Sequence, residues 1–163
     1  MLNYHPVSQP DEIPLRDKED AMGAYFMMFA SVAVSLPLPT INLIAAIIYY
    51  HLNKKKSRFV RFHITQSLFS QLPLTILNAG AVFWAARIFF SHYDFTSDTF
   101  WGYIIAVLIT NIIYFVFSIV AAVKARKGEY YYFIFFGRYS YEKVYTVREG
   151  DDGEKQTVNT PPR

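Results

Sequence analysis

The stretch KKKSRFVRFHITQSL, Lys54 to Leu68, decides how the chain is read. Three lysines and two arginines crowd its start. Aromatics, a histidine and a glutamine then run straight into an apolar segment. Such a junction could be a ligand site, a nucleic-acid contact or the anchored start of a membrane helix. The surrounding sequence selects among them. The chain has 163 residues, 53% hydrophobic and 18% charged, against roughly 25% charged in an ordinary soluble domain. The charges are also segregated. Residues 21–50 and 99–123 carry none, and residues 62–86 carry none unless His63 is protonated. A helical span needs about 20 apolar residues. These blocks predict an all-α, polytopic helical membrane protein.

Working outward, residues 21–52 form an apolar block broken at Ser35-Leu36-Pro37-Leu38-Pro39-Thr40. Two prolines this close end a helix. The block therefore predicts two short helices, near 21–36 and 40–52, joined at Pro37–Pro39 as a hairpin, with a re-entrant pair as the alternative. Residues 57–90 predict a third helix of about 50 Å, with its first two turns at headgroup level and Pro73 as a point of kinking. Residues 99–123 predict the fourth, closed by Lys124, Arg126, Lys127 and Gly128. Four helices are expected in all. Four segments follow: a polar leader without a secretory signal (1–20), a transmembrane helical domain (21–127), an aromatic interfacial segment (128–147) and a disordered polar tail (148–163).

The basic residues give a topology. Lys54, Lys55, Lys56, Arg58 and Arg61 flank one apolar block, and Lys124, Arg126 and Lys127 close another. The connection at 91–98 carries Asp94 and Asp98 and no Lys or Arg. The positive-inside rule places both basic groups in the cytosol as membrane anchors. The C-terminus is then cytosolic, as is the N-terminus if the hairpin returns the chain. A bacterial inner membrane is the expected location. Each near-surface basic residue gains about 1 kcal/mol from anionic lipid, and the basic run abuts a span, so headgroups are the expected partner rather than nucleic acid. Arg87 is expected to snorkel to the far interface.

The polar residues inside the blocks admit two readings. Asn42, His63, Gln66, Asn78, Asn111 and Ser118 can be glue between helices, worth about 0.6–2 kcal/mol per contact, or they can line a polar path. On a helical wheel Arg58, Arg61 and Thr65 share one face, and His63, Gln66, Ser67 and Ser70 share nearly the opposite one. In the aromatic run Tyr131, Phe133, Phe135 and Tyr139 are candidates for docking a partner. Enzyme chemistry finds little support. There is no cysteine, which excludes disulfides and thiolate-held metals. His63 has no second histidine or carboxylate at ligand spacing, and no acid that would orient it towards Ser67 or Ser70. No Gly-rich phosphate loop is present. The expectation is a protein without enzymatic activity, cofactor or metal.

Two stretches carry a family resemblance. FVRFHITQSL at 59–68 and AAVKARKGEYY at 121–131 resemble the two signatures of the Tic20-like and DUF4870 membrane proteins. The resemblance implies a small protein of three or four spans, related to a chloroplast inner-envelope import component. It carries over Arg61, His63 and Gln66 from the first motif and Lys124, Gly128, Glu129 and Tyr131 from the second, none of them catalytic. The chain departs from that pattern in its ending, YYYFIFFGRYSYEKVY, and in lacking an organellar transit peptide, which points to a bacterial relative. The expected role is an accessory or structural subunit of a larger membrane complex, linked to protein translocation. A small oligomeric channel or transporter is the alternative. Partners would be other integral membrane proteins or further copies of the chain. With both signatures on one side of the membrane, Arg61 or His63 is expected to pair with Glu129.

Overall fold

The computed structural model describes residues 4–30, 39–91 and 97–147. Among them the protein is all-α, with five α-helices: α1 Leu15–Phe26, α2 Pro39–Asn53, α3 Arg58–Ser91, α4 Asp98–Arg126 and α5 Phe136–Tyr145. A 3₁₀ turn, Met27–Phe29, extends α1. The expected turn around Pro37 and the polar tail lie outside the described residues, as does most of the 91–98 connection.

Five helices replace the expected four for two physical reasons. The first helix begins inside the supposed leader, at Leu15, because Pro14 before it needs no donated hydrogen bond and Asp17 suits a helix N-terminus. Nor is the leader ahead of it free: His5 N–H donates to the Tyr145 carbonyl at 2.8 Å, and His5 and Ile13 are buried. The extra helix, α5, hides in the aromatic run. Its inward side is Gly137, Ser140, Tyr141, Val144 and Tyr145, a helical spacing masked in sequence by aromatics on every side. Arg138 and Glu142 pair across one turn on its outer face. The segment expected to lie on the bilayer surface is thus partly bundle core.

The helices build a wide base and a narrow stem. α1 runs antiparallel to α4, since Glu19 pairs with Arg126 while Phe29 meets Phe115. The two meet along alanines: Ala21 faces Ala121, Ala122 and Ala125, all buried. Small residues let helix backbones approach closely. α2 returns antiparallel to α3, with Tyr49 against Val60 and Ile64 at one end. α5 covers the start of α3, with Tyr141 and Tyr145 against Phe62. The first three turns of α3 are therefore enclosed almost all round. Phe59, Val60 and every residue from Phe62 to Ser67 are buried against the neighbouring elements. Beyond Ser70 and Ser118 the start of α2 still reaches the bundle at Asn42, beside Asn78 and Asn111. Further on, among the described residues, α3 and α4 continue as a pair, with Trp84 on Phe100 and Tyr103.

The stem explains the membrane. Ile76, Phe83 and Phe89 on α3 are 71%, 66% and 77% exposed, and α4 exposes Ile105, Leu108, Ile112 and Val116. Patches of this extent are not left to water. α3 and α4 are both long and apolar enough to cross a bilayer, so the chain is a multi-pass membrane protein. α4 ends in a Schellman motif: Gly128 sits at φ +82°, its N–H donates to Ala125, and the Glu129 N–H donates to Lys124. A Cβ on Gly128 would also lie 3.0 Å from the Pro10 Cα.

Overpacking the alanine seam should therefore be costly. Ala121→Leu and Ala125→Leu should each lose about 1–3 kcal/mol, read as a lowered thermal midpoint in detergent. Ile112→Val on the lipid face should leave the midpoint nearly unchanged.

Candidate functional site

The buried polar residues fall into two groups. The first lies in the base, around the side chains that follow the basic flank of α3. Gln66 Nε2 donates to the Tyr25 hydroxyl at 2.8 Å and to the Tyr131 carbonyl at 2.9 Å. Its Oε1 accepts the Phe133 N–H at 3.2 Å. One carboxamide thus ties α3 to α1 and to the segment leading into α5. The Tyr25 hydroxyl, already accepting from Gln66, has its own proton available for His63 Nδ1, 2.9 Å away. That pattern is of a neutral imidazole protonated at Nε2. Rings of Phe59, Phe62 and Tyr130 enclose it. Ser67 adds a bond to the Ala24 carbonyl at 2.7 Å, and Ser70 reaches the Tyr114 hydroxyl at 3.2 Å.

The second group lies in the stem. Asn78 and Asn111 exchange side-chain hydrogen bonds at 2.8 and 3.1 Å, and Asn111 also donates to the Val107 carbonyl. Beside them is a cavity of about 60 Å³ lined by Asn42, Gln71, Thr75 and Tyr114. Asn42, Asn78 and Asn111 thus line one cavity. His63 and Gln66 belong to the other group, and Ser118 is buried nearer the base.

Several expectations are corrected. Neither Arg61 nor His63 pairs with Glu129. Glu129 is held by Lys124, which keeps its carboxyl below the usual range, while His63 is enclosed among aromatic rings. Four of the expected lipid anchors are engaged within the protein: Lys56 with Asp20, Arg58 with the His5 ring, Lys124 with Glu129 and Arg126 with Glu19. Lys54, Lys55 and Lys127 are exposed, as is Arg87 in the stem. Thr65 lies on the side of α3 that carries Arg61 and lines the same concavity, but it is covered, at 1% exposure. Phe133, expected to dock a partner, is a core residue at 6% exposure, and Tyr131 is half-buried against Phe117. Phe135 and Tyr139 are exposed. Tyr25 and Gln71 were missed altogether. Each sits in an apolar stretch of its helix, where one polar side chain gives no periodic signal.

Among the described residues no group of three or more His, Asp or Glu side chains could hold a metal. What the arrangement does is bind helices to one another. The burial of Tyr130 pushes its phenol up to about 12, so it stays protonated at physiological pH and keeps its bond to the Tyr145 hydroxyl.

Comparison with known proteins supplies a family. The model of the magnetosome magnetite crystal formation protein family, MamF_MmsF, matches residues 18–139. No curated protein matches the chain, and no solved structure does. The match overturns the resemblance to Tic20-like and DUF4870 proteins. That resemblance rested on two short motifs, a basic helix start with buried polar groups and a glycine-closed helix end. Both are solutions to general problems of membrane helices. The family model instead covers α1 to the start of α5.

Two predictions follow the geometry. Tyr25→Phe strands an acceptor on His63 and a donor on Gln66 and should cost about 1–3 kcal/mol, measured by thermal unfolding in detergent. In the stem, Asn78→Leu and Asn111→Leu should each destabilise by roughly 0.6–1.7 kcal/mol. The double substitution should recover most of that loss, because it leaves neither amide unpaired.

Proposed function

We propose that this chain, which belongs to the MamF_MmsF family, is an accessory protein of the magnetosome membrane that supports magnetite crystal formation by organising membrane components. It is a non-enzymatic membrane protein. The observation carrying the reading is the family match across α1 to α5. The side chains expected to form a site support it, because they are spent on joining helices. In this reading the base faces the cytosol with both termini, following the basic residues, and the membrane is that of a bacterial cell. Phe135 and Tyr139 serve as the docking surface for another membrane protein or a second copy. The link to protein translocation is not carried forward, since it came from the overturned resemblance.

The test is genetic. Deleting the gene in a magnetite-forming host should give smaller or fewer crystals by electron microscopy, restored by the intact chain. The protein should fractionate with purified magnetosome membranes. Unchanged crystals, or a protein confined to other membranes, would refute the reading.

A further inference from the structure

The cations of the base are not all alike. Lys56, Lys124, Arg126 and Arg138 each meet a carboxylate. Lys54, Arg61 and Lys143 do not, among the described residues. These three come from different elements: Lys54 follows α2, Arg61 sits on the second turn of α3, and Lys143 is near the end of α5. They nevertheless line one concavity of about 150 Å³, together with Tyr50, Thr65 and Val144. Among the described residues no carboxylate lines it.

The surroundings fix the site rather than leave three loose side chains. Thr65 is 1% exposed and Val144 is 6% exposed, so the floor is made by the packed α3–α5 interface. The Lys143 ammonium stands 4.6 Å over the Phe69 ring, a cation–π contact that restricts where it points. Arg61 supplies a planar guanidinium, the group best matched to two oxygens of a tetrahedral anion. Like charges gathered in a recess repel one another unless an anion sits among them. From this we infer that Lys54, Arg61 and Lys143 form a binding site for a single phosphate group at the basic end of the bundle. The phosphate is supplied either by an anionic phospholipid headgroup or by a soluble phosphate. A zwitterionic headgroup fits worse, because its ammonium would enter a field of three cations.

The experiment uses the full chain in mild detergent. One arm measures the thermal midpoint with inorganic phosphate against chloride at equal ionic strength. The other uses native mass spectrometry to compare retention of phosphatidylglycerol and phosphatidylcholine. Expected is a selective rise with phosphate, selective retention of phosphatidylglycerol, or both. Either is lost in the triple variant Lys54→Gln, Arg61→Gln, Lys143→Gln and kept in the control Lys55→Gln, Lys127→Gln. Each single substitution should weaken retention roughly fivefold, as one near-surface charge would. Retention of phosphatidylglycerol identifies the lipid as the source. A response to phosphate alone identifies the soluble anion. The triple variant loses mutual repulsion along with the Lys143–Phe69 cation–π contact, and without ligand it should unfold near the temperature of the unmodified chain. Equal losses in the triple variant and the control, or no preference over chloride and phosphatidylcholine, would overturn the site.

Discussion

A carboxamide removed from water must find partners for both its ends, and in this protein Gln66 sets that requirement. Unpaired, it would cost more than most single contacts can return. Its donors reach Tyr25 on α1 and the Tyr131 carbonyl, and its acceptor takes the Phe133 N–H. Those three bonds fix where α1 lies and where the aromatic segment turns back. They also bring Tyr25 to His63, so the histidine is placed as a consequence. The segment delivered by Tyr131 and Phe133 then carries α5 onto the outer face of α3. Much of the base follows from satisfying one side chain in a dry place.

The base needs a second condition, close approach. Alanines on α1 and α4 let those helices meet without long side chains between them. Gly23 serves the α1–α2 contact similarly, since a Cβ there would lie 2.4 Å from the Tyr49 hydroxyl, which donates to the Asp20 carbonyl. In lipid, apolar surface gains little by leaving the solvent for another helix. Tight contact and hydrogen bonding then carry the association, and both concentrate in the base. The stem has the exchange of amide bonds, a bond from the Tyr103 hydroxyl to the Leu77 carbonyl and the contacts of Trp84 with Phe100 and Tyr103, and leaves its exposed isoleucines and phenylalanines to the acyl chains.

The sequence makes the membrane legible because uncharged blocks report the solvent directly. It also marks α3 and α4, whose length and apolar composition suit a membrane span, and it brings Asn42, Asn78 and Asn111 forward among the polar residues of the apolar blocks. It hides α5, because tyrosines and phenylalanines on all sides erase the contrast on which helical periodicity depends. It hides the start of α1 for a related reason: a helix whose first turns are charged reads as a leader until its buried alanines are known. The basic residues mislead in another way. A lysine beside a span reads as a lipid anchor, yet pairing with a carboxylate from another element, as Lys56 does with Asp20, is invisible in one dimension. The Tic20-like resemblance failed at the same level. Short motifs report the local problem a helix solves, and many families solve it alike.

Whether polar residues in a membrane domain act as glue or as a path depends on what their hydrogen-bonding groups face. A path needs donors and acceptors turned towards a continuous aqueous line. Here Asn78 and Asn111 turn towards each other. Gln66, Tyr25 and His63 form one hydrogen-bonded set in the base, separated from the asparagines by Ser67 and Ser70, which reach Ala24 and Tyr114, and by Gln71. The Gln71 Nε2 group reaches Ser67, while its Oε1 has no hydrogen-bond partner among the described residues, and the cavity beside it is only about 60 Å³. That is room for water at a few polar groups, not a conduit between the two ends. The polar side chains of the spans therefore read as the means by which the bundle holds one arrangement. The cations at its base that carry no such duty are the ones left to face something else.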